Sequence, residues 1–296
     1  MGHHHHHGHH HHHDHGVKNL KVAFFLNLGF TLIEIVGGIY TNSLAILSDA
    51  LHDLGDSLGI GLSWYFQKLS TKQGDKTYTY GYKRFSLLGA IINAVVLLVG
   101  SVFILSQAIP QVFDPAETDA QGMLYIAIFG VLVNGAAMLR LRKGTSINER
   151  VISLHLLEDV LGWVAVLIGS IVMLYFDAPW IDPLLSVLIA LFILVNVYRN
   201  LRSSLGIILQ ATPKEVDVEG IHEKLLSLEH VSDVHDCHIW SMDGEYHVLS
   251  THVVLNGEYS LEEMAEIKAA AKKLLKEEVQ HVTIEFEGPN EECKGC

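Results

Sequence analysis

Histidine and aspartate are paired four residues apart at two distant places in the sequence: His52 with Asp56, and His155 with Asp159. At about 100° per residue, an i,i+4 pair stands on one face of an α-helix, so each pair presents an imidazole and a carboxylate together. Two helices that offer such pairs can surround one ion with two nitrogens and two oxygens, the tetrahedral set that Zn2+ accepts. A single His-x-x-x-Asp is a common polar pair; the second copy makes a shared metal site the favoured reading. Asp49 and Asp53 fall with His52 and Asp56 in an arc of roughly 100°, and Glu158 adjoins Asp159. These three acids read as relay groups or supports for the ligands, with ordinary packing against water as the alternative.

A second group lies near the C-terminus. His235, His238 and His252 fall on two β-patterned runs that flank Asp243-Gly244, and Glu285 and Glu287 share a face of a third run by the period of two. Cys293-x-x-Cys296 is a soft ligand pair at the chain end. Together these residues suggest a regulatory zinc site, whereas Cys237 reads as a small buried residue. The first sixteen residues hold 11 of the 20 histidines. They are either a purification tag or a disordered, weak, multi-site chelator.

The elements that must position the paired residues are long and apolar. Six runs approach the roughly 20 apolar residues that span a hydrocarbon core: Val22–Tyr40, Leu44–Phe66, Phe85–Ile109, Met123–Leu141, Ile152–Phe176 and Ile181–Tyr198. The His/Asp pairs sit in the second and fifth, where ionisable residues are expensive and therefore signal function. Asn27, Glu34, Asn93, Asn134 and Asn196 read as interhelical hydrogen bonds, with lining a cavity as a further option for Glu34. Lys18, Lys21, Lys68, Lys72, Lys76, Lys83, Arg84, Arg140, Arg142, Lys143, Arg150, Arg199 and Arg202 all flank the spans on one side. The three opposite connections contain no Lys or Arg, which predicts cytoplasmic termini in a multi-pass protein of the inner (plasma) membrane.

From about Ala211 the pattern is that of a small soluble α+β domain: a helix over Glu215–Leu228, strands at Val234–Trp240 and Tyr246–Leu255, a helix capped by Ser260 over Leu261–Glu278, and a strand at His281–Glu287. The order is α-β-β-α-β. Residues 211–296 carry 19 acidic and 7 basic side chains, nearly all of the chain's net charge of −13. That balance excludes a general nucleic-acid binder and favours cationic partners. The expected division is a His-rich segment 1–16, a six-helix transmembrane domain 17–210, a cytoplasmic metal-binding domain 211–288 and a Cys-containing tail 289–296.

Local phrases sharpen this picture: Ser43-Leu44-Ala45-Ile46-Leu47-Ser48-Asp49-Ala50-Leu51-His52, Tyr78-Thr79-Tyr80-Gly81-Tyr82-Lys83-Arg84-Phe85, Leu209-Gln210-Ala211-Thr212-Pro213 and Val234-His235-Asp236-Cys237-His238-Ile239-Trp240. From about Val17 to Glu287 the chain resembles the cation diffusion facilitator family, in its zinc-transporting branch. The resemblance implies a homodimeric antiporter that exports Zn2+ from the cytoplasm in exchange for protons by alternating access, with a metallochaperone-like cytoplasmic domain. It implies His52, Asp56, His155 and Asp159 as transport ligands, and His235, His252, His238 and Glu285 as cytoplasmic ones. A His in the second span goes with zinc preference, with Cd2+ or other divalent ions as further cargo. One departure is that the connection between spans two and three has Asp75 but no His, so a metal site there is not expected.

Two other classes compete. An intramembrane aspartyl protease also places acids in spans, but position 53 is Asp where its Gly-x-Gly-Asp signature needs Gly, and no second-span Tyr-Asp partner occurs. A membrane-bound metal sensor or store accounts for the His-rich segment and the soluble domain. It does not account for four ligands inside the bilayer.

Overall fold

The computed structural model describes residues 13–141, 147–289 and 291. Among them, helices α1 (His13–Thr41), α2 (Leu44–Ser70), α3 (Phe85–Phe113), α4 (Ala120–Leu141), α5 (Ile147–Tyr175) and α6 (Ile181–Ile208) precede a smaller set: α7 (Val218–Leu226), β1 (Val231–Ser241), β2 (His247–Leu255), α8 (Leu261–Leu274) and β3 (His281–Glu287). The chain forms two compact units, one of residues 1–65 and 89–200, the other of residues 66–88 and 201–296. The long helices overhang the apolar runs; α3 continues through Pro110 to Phe113.

Four helices among the described residues, α3 to α6, have stretches long and apolar enough to cross a membrane: Phe85–Phe113, Ala120–Arg140, His155–Tyr175 and Ile181–Ile208. Helix α2 fails that measure for a physical reason. Its ten Leu, Ile and Phe side chains each favour the bilayer by about 0.3 to 0.6 kcal/mol, whereas Asp49, Asp53 and Asp56 each oppose it by roughly 3 kcal/mol. The acids therefore win, and α2 needs neighbouring helices to hide them. Asp49 and Asp53 are buried, as is Glu34 of α1.

Polar groups lie inside the first unit and large apolar ones outside it. Val95, Val99, Val102 and Phe103 of α3 are all exposed, while Thr31, Glu34, Ser101, Ser170 and Ser186 are fully buried. This inversion of the soluble pattern belongs to a surface in contact with lipid. Within the unit, Phe30, Ala45, Ile46, Met123, Ala127, Trp163 and Val166 form the apolar core. Gly37 of α1 admits Ile126 of α4, Gly55 of α2 admits Leu97 of α3, and Gly130 of α4 admits the ring of Trp163 on α5; a Cβ at any of them would lie within 3.0 Å of its neighbour.

Two polar attachments fix α2. Asn27 Nδ2 on α1 donates to the Asp53 carbonyl at 3.0 Å and to Ser57 Oγ at 3.1 Å. At the α2 N-terminus, buried Asp182 of α6 accepts from Ser43 Oγ at 2.5 Å, Leu44 N at 2.8 Å and Ala45 N at 3.3 Å, while Ser48 and Ser186 hydroxyls meet at 2.6 Å. Asp182 thus caps a neighbouring helix, satisfying N–H groups that have no partner within α2.

In the second unit β1 and β2 pair antiparallel and β2 and β3 parallel, in the order β1-β2-β3. The α-β-β-α-β order of the sequence reading holds, with shifted ends. Helix α7 starts at Val218, three residues late, because Asp217 is its N-cap and accepts from Gly220 N. Helix α8 stops at Leu274, and its start carries the reciprocal Ser260–Glu263 capping box. Ile221, Leu225, Ile267, Ala271 and Leu275 pack onto one sheet face through Val234, Ile239, Leu249, Val253 and Ile284. The other face carries His235, His252, Glu285 and Glu287 alongside Trp240, Val248 and Val254.

The α2–α3 connection belongs to this second unit and is built around Asp75. Its carboxylate accepts from Tyr82 Oη at 2.6 Å, Thr77 N at 2.8 Å and Tyr78 N at 2.9 Å. Those bonds, the Tyr82 hydroxyl first, hold its pKa well below the usual carboxylate range. Asp75 is thereby committed to the loop. Tyr80 packs edge-on against His281 at 5.4 Å, and Lys83 Nζ lies 4.4 Å from the Tyr246 ring centre.

Replacing Asp182 by Ala is expected to destabilise the first unit by about 1–3 kcal/mol, because three donors at the head of α2 lose their acceptor. Asn, which keeps one acceptor oxygen, should fall between. Thermal unfolding of the detergent-solubilised protein measures both; an unchanged midpoint for Ala would remove Asp182 from this role.

Candidate metal centres

The first unit brings His52, Asp56, His155 and Asp159 together. His155 Nε2 stands 2.9 Å from Asp56 Oδ2 and 4.0 Å from Asp159 Oδ2, and His52 Nε2 stands 3.8 Å from Asp56 Oδ2. The two imidazole rings are 5.9 Å apart at 75°. One donor atom each from His52, His155 and Asp159 lies within 4.8 Å of the others. Donors at 2.0–2.1 Å around a tetrahedral zinc are roughly 3.3 Å from one another; Asp56 lies outside the three-residue donor set but stands 2.9 Å from His155 and 3.8 Å from His52. Asp159 is buried and His155 is 41% exposed, giving the cluster one shielded and one accessible side.

Around this cluster the structure sorts the remaining acids. Asp49 and Asp53 of α2 are buried, Asp49 Oδ1 lying toward Gly162 of α5, whereas Glu158 is exposed beside buried Asp159: one residue along α5 turns a side chain by about 100°. The His52 Nδ1 atom is buried and accepts or donates no hydrogen bond.

In the second unit the cluster stands on the sheet face opposite the helices. His235 of β1 pairs directly with His252 of β2, which pairs with Glu285 of β3, so the three occupy one row. The carboxylate that closes on the histidines is nevertheless that of Glu287, which is 7% exposed. Its Oε1 lies 2.6 Å from His252 Nδ1 and its Oε2 3.2 Å from His235 Nε2. His235, His252 and Glu287 form the compact donor set; Glu285 is 70% exposed and 3.7 Å from His252 Nε2. The shared-face period pointed to both acids, and only the strand register and side-chain reach distinguish them.

His238 does not join that set. The β1–β2 register slips between His235 and His238, with Asp236 at φ +48°. This is a bulge that re-aims the residues after it. His238 is 66% exposed and reaches the cluster through Asp236, at 2.7 Å from its Oδ1, with Asp236 Oδ2 3.5 Å from His252 Nε2. Asp236 is a neighbour the sequence reading did not name, and its left-handed backbone gave no advance signal. Cys237 packs against the core, and burial pushes its thiol pKa up, which disfavours the thiolate a metal needs. Cys293, Cys296 and the N-terminal run through residue 12 lie outside the described residues.

Lipid-facing helices that hold imidazoles beside buried acids, in one chain with a small α/β unit that carries a second His/carboxylate cluster, are the plan of a membrane carrier for metal cations. The pattern of the cation efflux transmembrane domain matches residues 20–209, and that of the cation efflux protein cytoplasmic domain matches residues 213–288. The chain belongs to the cation efflux family, the cation diffusion facilitators, whose members are transporters and not enzymes. It is 35% identical over 275 residues to the cadmium, cobalt and zinc/H(+)-K(+) antiporter of Bacillus velezensis, with 91% of this chain and 88% of that one covered. The metal cation efflux system protein CzcD of Cupriavidus metallidurans is 33% identical over 274 residues, with 91% and 86% covered. Zinc transporter ZitB of Escherichia coli is 31% identical over 244 residues, with 81% and 78% covered. Among solved structures, the metal-bound C-terminal domain of the CzcD transporter from Cupriavidus metallidurans matches 24% of this chain and 99% of its own, at 31% identity and a TM-score of 0.22.

Glu287→Gln should weaken zinc binding at the second cluster on the order of 10–100-fold, and Glu285→Gln by much less. Zinc titration of protein that lacks residues 2–15 and carries Asp159→Ala isolates that cluster. Equal losses from the two changes would return Glu285 to the ligand set.

Proposed function

We propose that the protein is a homodimeric secondary transporter of an inner membrane, with six spans and both termini in the cytoplasm, that exports Zn2+ in exchange for protons. Cd2+ and other divalent ions are secondary cargo. The observation that carries this reading is the convergence from two helices of His52, His155 and Asp159 within 4.8 Å of one another, with Asp56 2.9 Å from His155. The named cargoes of the relatives, zinc, cadmium and cobalt, agree with a mixed imidazole and carboxylate site. The names of the Bacillus relatives include exchange for H+ and K+.

The coupling follows from ligand chemistry. Imidazole and carboxylate bind Zn2+ only when deprotonated, so metal affinity falls as local pH drops. Histidine's reference pKa of about 6.5 places this competition between an acidic exterior and a neutral cytoplasm. Zinc loads where protons are scarce and leaves where they are plentiful, and the vacated ligands carry protons back. Alternating access moves the same four groups between the two sides.

The cytoplasmic domain, spanning 211–288, binds zinc at His235, His252 and Glu287, with His238, Glu285 and the Cys293/Cys296 pair as outer contributors. With a net charge of −12 over residues 211–296, two such domains repel each other until divalent ions offset that charge. Zinc then biases the dimer toward one state, a population shift and not an absolute requirement. Residues 1–16 raise metal capture near the cytoplasmic mouth if they are native.

Proteoliposomes loaded with a pH-sensitive dye test the core of this reading. Zinc movement one way should drive protons the other way, and His155→Ala should abolish both fluxes while the protein stays folded. Zinc flux that ignores an imposed pH gradient, or wild-type flux from His155→Ala, would refute it.

A further inference from the structure

Where α8 ends and β3 begins, the second unit holds a cavity of about 350 Å3 lined by Lys272, Lys276, Val279, Gln280, His281 and Val282. That size is at the lower end of the range for small-ligand sites. Its polar side chains are two ammonium groups, a carboxamide and an imidazole, with no carboxylate. Gln280 accepts the His247 N–H on Oε1 at 2.6 Å and gives its own backbone N–H to the His247 carbonyl at 3.1 Å. The carboxamide oxygen is thereby committed, and the side-chain NH2 group is left to donate.

Positive charge at this place runs against the rest of the domain. Residues 211–296 carry 19 acidic and 7 basic side chains, yet four of the seven, Lys268, Lys272, Lys273 and Lys276, fall on α8 and the turn after it. Lysines in a last helical turn offset the helix dipole, as Lys272 and Lys273 do for α8. Lys276 lies past the helix end beside Glu277 and Glu278 and pairs with neither; Glu278 is taken by Lys224. Among the described residues the lysines in ion pairs are Lys72 and Lys224, so neither lysine of the cavity has a carboxylate partner. Two unpaired ammonium groups with further donors beside them suit a phosphate group.

The neighbouring chain points to where that phosphate is carried. His281 packs against Tyr80 of the α2–α3 connection, in the same unit, and both ends of that connection continue directly into membrane helices. Residues 66–88 hold Lys68, Lys72, Lys76, Lys83 and Arg84 against a single acid, Asp75, whose oxygens Tyr82 and two loop amides already take. Arg84 Nε is buried and has no hydrogen-bond partner among the described residues. Tyr78 and Tyr80 are exposed, and amphipathic rings of this kind belong at headgroup level. Basic residues beside a membrane helix attract anionic lipid.

We propose that the cavity between α8 and β3 is a site for the phosphate group of an anionic phospholipid, drawn from the leaflet at which α2 and α3 emerge. Lys272 and Lys276 supply the charge, Gln280 and His281 further donors, and the α2–α3 connection the adjoining basic surface. The site has nothing to do with metal binding. It gives a domain of net charge −12 one point of attachment to an anionic surface that otherwise repels it.

Native mass spectrometry of the full-length protein in detergent tests this, with phosphatidylglycerol, phosphatidylcholine or inorganic phosphate added in separate arms. The wild type should bind at least one more phosphatidylglycerol than phosphatidylcholine per chain. Lys272→Gln with Lys276→Gln should weaken that binding on the order of 10–30-fold. Lys268→Gln with Lys273→Gln removes the same charge from α8 outside the cavity lining and should leave the binding near its wild-type value. If the first pair fails to assemble, Lys276→Gln alone reads the same loss in smaller measure. Equal losses from the two pairs, or equal uptake of the two lipids by the wild type, would overturn the site. Binding of inorganic phosphate with no preference for phosphatidylglycerol would overturn the lipid as its occupant.

Discussion

Burying negative charge among lipid-facing helices is the constraint on which the first unit is organised. Three aspartates on α2 oppose insertion by more than that helix's apolar residues favour it, so α2 cannot be stable alone in a bilayer. The surrounding contacts answer this problem. Asn27 ties α1 to α2 beside Asp53, Asp182 of α6 caps the head of α2, and glycines let neighbouring helices close around it. The same burial that is unfavourable without an ion makes the unit attractive to one, because carboxylates screened from water gain most from a cation.

The second unit solves a different problem with similar ligands. Its helices cover one sheet face, which leaves the other free for His235, His252 and Glu287. There the backbone sets the positions: a row of directly paired residues across three strands, disturbed by one bulge at Asp236. Loop 66–88 contributes no metal ligand set among the described residues, since Asp75 spends its oxygens on Tyr82 and two backbone amides.

Legibility from sequence followed the length scale of the signal. The i,i+4 pairs were readable because helical geometry fixes neighbours one turn apart, and a duplicated motif points to convergence even without a fold. The order of elements in the C-terminal unit was equally plain from periodicity and from turn residues such as Asp243-Gly244. What could not be read depended on non-local detail. Choosing Glu287 over Glu285 required the direction each side chain takes, because the register sets Glu285 beside His252 while the Glu287 carboxylate, one pair further along, closes on both histidines. The exclusion of His238 required a bulge whose only trace is a left-handed aspartate. Glu34 was visible as an acid in an apolar run, but its complete burial depends on how α1 packs on its neighbours.

The central claim is that one zinc ion is held in the membrane unit by two imidazoles and two carboxylates from α2 and α5. X-ray absorption at the zinc edge reads that coordination directly, using protein with residues 2–15 deleted and His235→Ala, His252→Ala, Cys293→Ser and Cys296→Ser introduced to remove competing imidazoles and thiolates. The account predicts four nitrogen or oxygen neighbours at about 2.0 Å, with the outer-shell scattering of two imidazoles, and loss of half of that scattering in His155→Ala. A sulfur shell near 2.3 Å, or a site with no imidazole scattering, would contradict it.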